Sequence, residues 1–346
     1  MDEGSPAQNA GSPRVGIVIG TFNANDHWPR LRTALLNQTF KDFEVVVIDN
    51  ASDLDKRLAD ADLPVGFRHI QLTENIGYAA ATNRAVATLQ TEFIAMLNPD
   101  AFPEPEWLEQ LMNAAGRHPG AAAFGSTQLR DDAFGVFDGI GDSYWAGGHP
   151  FRAGHGRSQK YLAAEGETFS VSAVAALFRR QAFLDIGGFD ERFFAIWVDV
   201  DFGFRLRLAG GRAIQVPDAV VHHIGGLTIG RRSPFRTYHA FRNRLWIFVK
   251  NMPAAFFWFC LPGHIAMTAV DLFLLALRGA WKEAWLGLKH GWKDLPMIIE
   301  TRREVQAKRR ITLGALAKVV VWSPIDPFFK RPKVWATEEP ELLPAR

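Results

Sequence analysis

Cysteine is nearly absent: Cys260 is the single one in 346 residues, so no intramolecular disulfide can form. A lone thiol in an apolar run fits a reducing compartment. Net charge is scarce too, with 39 Lys and Arg against 37 Asp and Glu for a formal +2, too little to imply a nucleic-acid partner. Residues 1–13 lack the apolar segment of a signal peptide and read as a disordered leader. No G-x-G-x-x-G follows the first apolar run and no G-x-x-x-x-G-K-[ST] occurs, which disfavours a dinucleotide fold and a P-loop. The length suits one large domain with an appendage, or two domains. These absences describe a cytoplasmic or cytoplasm-facing protein.

What is present is an alternation. Residues 15–19, 43–48, 67–72 and 93–97 are apolar runs of strand length. Between them, residues 28–36, a segment after Asp53, and residues 79–89 read as helices. Strand and helix in turn predict an α/β fold with a mostly parallel sheet and helices on both faces. Each strand ends in polar residues: Thr21 and Asn23, Asp49 and Asn50, Asn75, then Asn98 and Asp100. Polar ends on one edge are what a nucleotide site at the carboxyl edge of a sheet requires. Pro99 has no N–H to extend the ladder, so Asp100 stands at that edge, placed to meet a metal or a phosphate.

Further on, residues 107–115 read as a helix, 121–129 as a strand and 131–166 as a long Gly- and aromatic-rich loop. Residues 168–179 return to a strand pattern, 202–208 form a helix capped by Gly210-Gly211, and 213–216 and 219–222 form two short strands.

Thr21-Phe22-Asn23, Val47-Ile48-Asp49-Asn50-Ala51-Ser52, Glu74-Asn75-Ile76-Gly77-Tyr78 with Asn83-Arg84, and Leu97-Asn98-Pro99-Asp100 are followed by Gly187-Gly188-Phe189-Asp190-Glu191-Arg192-Phe193-Phe194 and Asp199-Val200-Asp201. In this order they resemble the family 2 glycosyltransferases, and most of all the bacterial branch of rhamnosyltransferases that build cell-wall and O-antigen polysaccharide. The resemblance covers roughly residues 15–250. It implies a GT-A fold, Rossmann-like, and inverting transfer of a sugar from a dTDP- or UDP-sugar donor to a glycan or polyprenyl-diphosphate-linked acceptor. It also implies a divalent metal, Mg²⁺ or Mn²⁺, on Asp100 and His223, hard ligands whose shell phosphates complete. Thr21, Asn23, Asp49, Asn50, Asn75, Gly77, Arg84 and Asn98 match positions that hold the nucleotide sugar. Asp199 matches the general base, and Trp197, Asp201 and Arg205 are the implied acceptor contacts. Two positions depart from the family: Val198 replaces a usual Glu, and Ala173 a usual Gly. The rival reading that Val198 motivates is a catalytically weakened GT-A protein that binds nucleotide sugar or a partner without turnover. A processive synthase would need a Q-x-x-R-W motif and several spans. A sugar nucleotidyltransferase would need a basic, glycine-rich loop where Gly20-Thr21-Phe22-Asn23 stands.

Residues 14–250 are thus expected to form the transferase domain, 251–312 a membrane-associating helical segment and 313–346 a tail. Residues 254–277 are strongly apolar but carry Pro262, Gly263, His264 and Asp271, which favours an interfacial or re-entrant segment over a clean span. Trp281, Trp285, Leu288, Trp292, Leu295 and Ile299 then recur at alternating four and three spacing, with Arg302, Arg303, Lys308, Arg309 and Arg310 beyond them. This is the pattern of an amphipathic helix lying on an anionic membrane surface, here the inner face of the cell membrane. The alternative for that helix is packing on the catalytic domain or in the seam of a homodimer.

Overall fold

Alternate residues of the first strand divide between two cores, and the sheet grows outward from that strand. In the computed structural model, which describes residues 13–161, 164–226, 230, 233–331 and 333–337, β1 (Val15–Thr21) lies between β2 (Phe43–Asp49) and β4 (Phe93–Leu97). β3 (Phe67–Gln71) pairs with β2, and all four strands are parallel. The expected leader apart from Pro13, and the last nine residues of the tail, lie outside the described residues. Val15, Ile17 and Ile19 join Leu31 and Leu35 of α1 (Trp28–Leu36) in one core. Val18, on the opposite face, joins Ala81 and Ala85 of α2 (Gly77–Val86) in the other. The helix expected after Asp53 is not formed: residues 54–56 and 60–62 are single 3₁₀ turns. Leu54 is 85% exposed and Leu58 alone among residues 54–62 is buried, too narrow an apolar stripe to hold a helix against the sheet.

The second half of the sheet is mixed. β5 (Ala101–Pro103), α3 (Trp107–Arg117) and β6 (Ala123–Arg130) follow β4. The long segment expected as a loop holds β7 (Phe137–Gly139), which pairs with β6, and the hairpin of β8 (Asp142–Trp145) with β9 (His149–Arg152). After β10 (Gly166–Thr168) comes β11 (Ala175–Arg179), antiparallel to both β4 and β6. Then come α4 (Arg180–Asp185), α5 (Val198–Leu208) and β12 (Ala213–His223), the last parallel to β6. The two short strands expected around residue 217 are this one strand, whose register slips between Val216 and Val220 at Pro217-Asp218. The strand order is β10-β12-β6-β11-β4-β1-β2-β3.

The remainder is helical: α6 (Pro234–Asn251), α7 (Ala254–Ala276), α8 (Trp281–Lys293), α9 (Leu295–Ala307), α10 (Leu313–Val319) and α11 (Asp326–Phe329). α7 runs unbroken through Pro262. Its polar residues share one face: His264 stacks on Phe248 at 4.2 Å and Asp271 pairs with Arg244. The other face exposes Trp258, Phe259, Ile265, Phe273 and Leu277. Among the described residues it is the one helix long and apolar enough to cross a membrane. The amphipathic stretch after it is two helices that meet at Asp294, with Pro296 in the first turn of the second. α8 packs on α6 through its small residues; a Cβ on Gly287 would lie 2.3 Å from the Tyr238 carbonyl oxygen. Trp281, Trp285 and Trp292 therefore face outward.

Candidate functional site

The carboxyl ends of β1, β2 and β4, the β8–β9 hairpin and the start of α5 surround one cavity of about 1060 Å³. Thr21, Asn50, Asn75, Asn98, Asp100, Trp197, Asp199 and His223 line it, so most of the residues picked out by pattern converge. At one end the polar strand termini bond to one another. Asn50 donates through Nδ2 to Asn75 Oδ1 (2.8 Å) and accepts at Oδ1 from the Ile76 N–H (3.0 Å). Gly77, at φ 85°, lies where a Cβ would strike the Phe194 ring at 2.6 Å. Asp49 is buried; its Oδ1 accepts from the Ser52 N–H (2.7 Å), while Oδ2 has no hydrogen-bond partner. The Thr21 hydroxyl is likewise buried and unpartnered. Of the two, Thr21 lines the cavity, where a ligand O–H or N–H can satisfy its hydroxyl, while Asp49 stands behind that wall. Asn23, at φ 54°, supports this end from outside the cavity by exchanging hydrogen bonds with Asp53.

Asp100 follows β4 and His223 ends β12, and antiparallel pairing of β5 with β12 brings them together. His223 Nε2 lies 3.3 Å from Asp100 Oδ1, and Nδ1 lies 2.8 Å from Asp138 Oδ2. Burial opposes charge on this ring, but hydrogen bonds to Asp100 and Asp138 outweigh it and push the imidazole up to about 9. Among the described residues no group of three or more His, Cys, Asp or Glu is arranged to hold a metal. Asp100 and His223 nevertheless fit a divalent ion that also takes phosphate oxygens. One hard anionic oxygen stands beside an imidazole nitrogen whose other nitrogen is held by a carboxylate, the usual support for a metal-ligating histidine. Asn98 adds an amide on the same wall.

Opposite stands Asp199, in the first turn of α5. Its Oδ2 accepts from the Ala173 N–H (3.1 Å) and its Oδ1 from the Val200 N–H (3.0 Å). Phe194, Ile196 and Trp197 before it all have φ near +60°, a conformation that costs non-glycine residues energy and clusters at functional sites. What holds it is Asn243 of α6, fully buried, whose Nδ2 donates to the carbonyls of Phe193 (3.2 Å), Ala195 (2.7 Å) and Ile196 (2.8 Å). Val198, in place of the family's Glu, is 5% exposed and packs in the core. The second carboxylate beside Asp199 comes instead from Asp142 of β8, fully buried, which Ser170 ties to the Asp199 backbone. Burial pushes Asp142 up to about 7, with Arg152 opposing the rise and the Asp199 charge adding to it. Arg152 of β9 pairs with Asp142 (3.4 Å) and with Asp138 (3.2 Å). A buried chain of charges thus runs from His223 through Asp138, Arg152 and Asp142 to Asp199.

Besides Asn23, Asp49 and Gly77, which back the end formed by the strand termini without lining the cavity, Asp201, Arg205 and Arg84 do not belong to it. Asp201 is fully buried and satisfied by Arg205 Nε (2.8 Å), Asn251 Nδ2 (2.8 Å) and Lys250 Nζ (2.6 Å). Arg205 spends its other nitrogens on the Ile186 and Gly188 carbonyls. Neither has surface to offer an acceptor; together they anchor the segment that leads into the strained loop. Arg84 is exposed on α2 and does not line the cavity, whereas its neighbour Asn83 bonds to the Phe189 backbone at 2.8 and 2.9 Å. Conversely, pattern missed Asp138, Asp142 and Arg152. Their partners lie across a hairpin, and residues 131–166 carry no period that would mark them.

The profile of the family described as Glycosyl transferase family 2 matches residues 16–187. An N-acetylglucosaminyl-diphospho-decaprenol L-rhamnosyltransferase of Mycobacterium tuberculosis is 28% identical over 239 residues, 62% of this chain and 77% of that protein. The O-antigen biosynthesis protein RfbC of Myxococcus xanthus is 28% identical over 313 residues, 86% of this chain but 24% of its own length. In three dimensions, residues 1–349 of S. aureus TarS superpose with a TM-score of 0.54 at 16% identity, over 85% of this chain and 90% of that one.

Proposed function

We propose, from the premise that this chain belongs to the family 2 glycosyltransferases and has their GT-A fold, that it transfers one sugar with inversion from a nucleoside diphosphate donor to a lipid-linked acceptor. The observation that carries the reading is Asp199 facing the same cavity as the Asp100–His223 pair. The strand ends, with the unpartnered Thr21 hydroxyl, take the nucleoside. Asp100 and His223 would hold a divalent cation, Mg²⁺ or Mn²⁺, which when bound offsets charge on the departing diphosphate.

Asp199 accepts the proton of the acceptor hydroxyl as that oxygen bonds to the anomeric carbon. The bond from that carbon to the diphosphate breaks with its electron pair on the phosphate oxygen. One base and one displacement invert the centre. The Ala173 and Val200 N–H groups fix the direction of the Asp199 carboxylate, and Trp197 offers an indole wall to the acceptor sugar. The rhamnosyltransferase relative supports rhamnose as the sugar and a polyprenyl-diphosphate glycan as acceptor, RfbC supports a place in cell-surface polysaccharide synthesis, and the donor in this reading is a dTDP- or UDP-sugar. The outward tryptophans of α8 and the apolar face of α7 support peripheral attachment to the cytoplasmic face of the membrane.

The test is nucleoside diphosphate release by the purified full-length protein from a panel of dTDP- and UDP-sugars, with Mn²⁺ or with chelator, and with Asp199→Asn alongside. Release from one donor, lost with chelator and in the variant, is the expected result. Donor binding without release, even with membrane lipid extract supplied, would instead favour a nucleotide-sugar-binding protein without turnover.

A further inference from the structure

Two cations of the cavity have no part in the charge chain described above. Arg236, in the first turn of α6, is exposed at the rim, and Lys330, just past α11, is half-buried; both line the same cavity as Asp199. Among the described residues neither charged end has a carboxylate or hydrogen-bond partner, although Asp138, Asp142 and Asp199 lie on that cavity or behind its wall. Burial holds the Lys330 ammonium below the usual lysine range, with Asp138 opposing and Arg152 and Arg236 adding to the shift. Nor does Lys330 reach this place by chance of a loose end. Its carbonyl accepts from the Gly154 N–H (2.8 Å), and the Phe329 carbonyl accepts from Arg157 Nε (3.1 Å). Its φ of 47° is a left-handed conformation that a lysine adopts only when its surroundings impose it.

The residues around this pair are apolar and outward-facing. Phe328 and Phe329, directly before Lys330, are both more than half exposed. Trp322 is also exposed and joins this segment to α7 through ring contacts with Phe256 (5.5 Å) and Phe259 (6.3 Å). Two unpaired cations over a reaction cavity, bordered on the outside by aromatic surface, fit a ligand with a multiply charged phosphate head and a hydrocarbon tail.

We infer that Arg236 and Lys330 form the subsite for the diphosphate of a prenyl-diphosphate acceptor, whose lipid leaves over Phe328, Phe329 and the outer face of α7. This rests on the transferase reading above and names the residues that grip its acceptor. The donor's own diphosphate is the other source of the same chemistry, and the test separates the two.

Calorimetric titrations of the full-length protein would use farnesyl diphosphate as one probe and dTDP with Mn²⁺ as the other, on wild type, Arg236→Ala, Lys330→Ala and Lys330→Arg. Loss of one charge-assisted contact corresponds to roughly tenfold weaker binding. Each alanine variant should bind farnesyl diphosphate about tenfold more weakly, Lys330→Arg should retain most of the affinity, and dTDP binding should stay within about twofold. Weaker dTDP binding with farnesyl diphosphate unaffected would assign the cations to the donor and overturn the inference. So would unchanged affinity for both, which would make them ordinary solvated charges. Donor turnover that depends on Asp199 in a protein that does not bind farnesyl diphosphate would leave the transferase reading standing and refute this subsite alone. Thermal unfolding of each variant identifies any that fails to fold.

Discussion

At the scale of single residues, the site works by placing carboxylates in different surroundings. Asp199 has two backbone N–H groups on its oxygens, whereas Asp142 behind it has one oxygen at 3.4 Å from Arg152 and another with no partner. Burial disfavours the Asp142 carboxylate and the nearby Asp199 charge adds to that, so Asp142 rises to about 7. An exposed aspartate titrates near ~3.9, so the folded protein holds this proton more tightly than the unfolded chain does. The stability that Asp142 contributes is therefore full below about pH 4 and is lost as pH rises through about 7. Asp142→Asn, which cannot ionise, should flatten that part of the curve of Tm against pH. Equal slopes in the two proteins between pH 4 and 8 would contradict the assignment.

At the scale of elements, the loop that leads into Asp199, the proposed base, is set by a helix remote in sequence. Asn243 holds three carbonyls of the strained loop with one amide nitrogen. Asn243→Ala leaves buried carbonyls unsatisfied, at a cost of about 1–3 kcal/mol. A lower Tm with turnover reduced well beyond the loss of folded protein is the expected outcome, measured by calorimetry and donor release; full activity would show that the loop keeps its shape without the clamp. This is also where sequence reading reaches its limit. β1 to β4 and their polar ends were legible because each is a short apolar run closed by Asn, Asp or Thr, and the parallel order follows from the alternation. That Asp199 would line the cavity was legible from its motif. Asp201, in the same motif, looks alike in sequence, but roughly half a turn of helix carries it into the core against Lys250 and Arg205. The β8–β9 hairpin stayed illegible because Asp142, Arg152 and Asp138 gain their meaning from each other, across strands with no repeating pattern. The helix expected after Asp53 failed because Leu58 alone anchors that segment to the core.

For the whole molecule, one side carries chemistry and another carries aromatic surface. Trp258, Phe259, Trp285 and Trp292 are each more than half exposed, an unusual cost in water that an interfacial site removes. Triple substitution of Trp281, Trp285 and Trp292 by Ser should reduce flotation with vesicles containing anionic lipid several-fold, while release of nucleoside diphosphate toward a water-soluble acceptor stays unchanged. Equal flotation would mean that these side chains meet a protein partner or a second copy of the chain. The polar residues of α7 pack on Phe248 and Arg244 of α6, so an exposed apolar face and the cavity coexist on one folded unit. The most direct test of the account is the stereochemistry of the product. Sugar transferred by wild-type protein, and by Asp199→Asn where any transfer remains, would be analysed by NMR for the configuration at its anomeric carbon. The account predicts inversion relative to the donor, with the rate falling about 10²–10⁴-fold in Asp199→Asn that calorimetry shows to be folded; retention of configuration, or undiminished transfer by the variant, would contradict it.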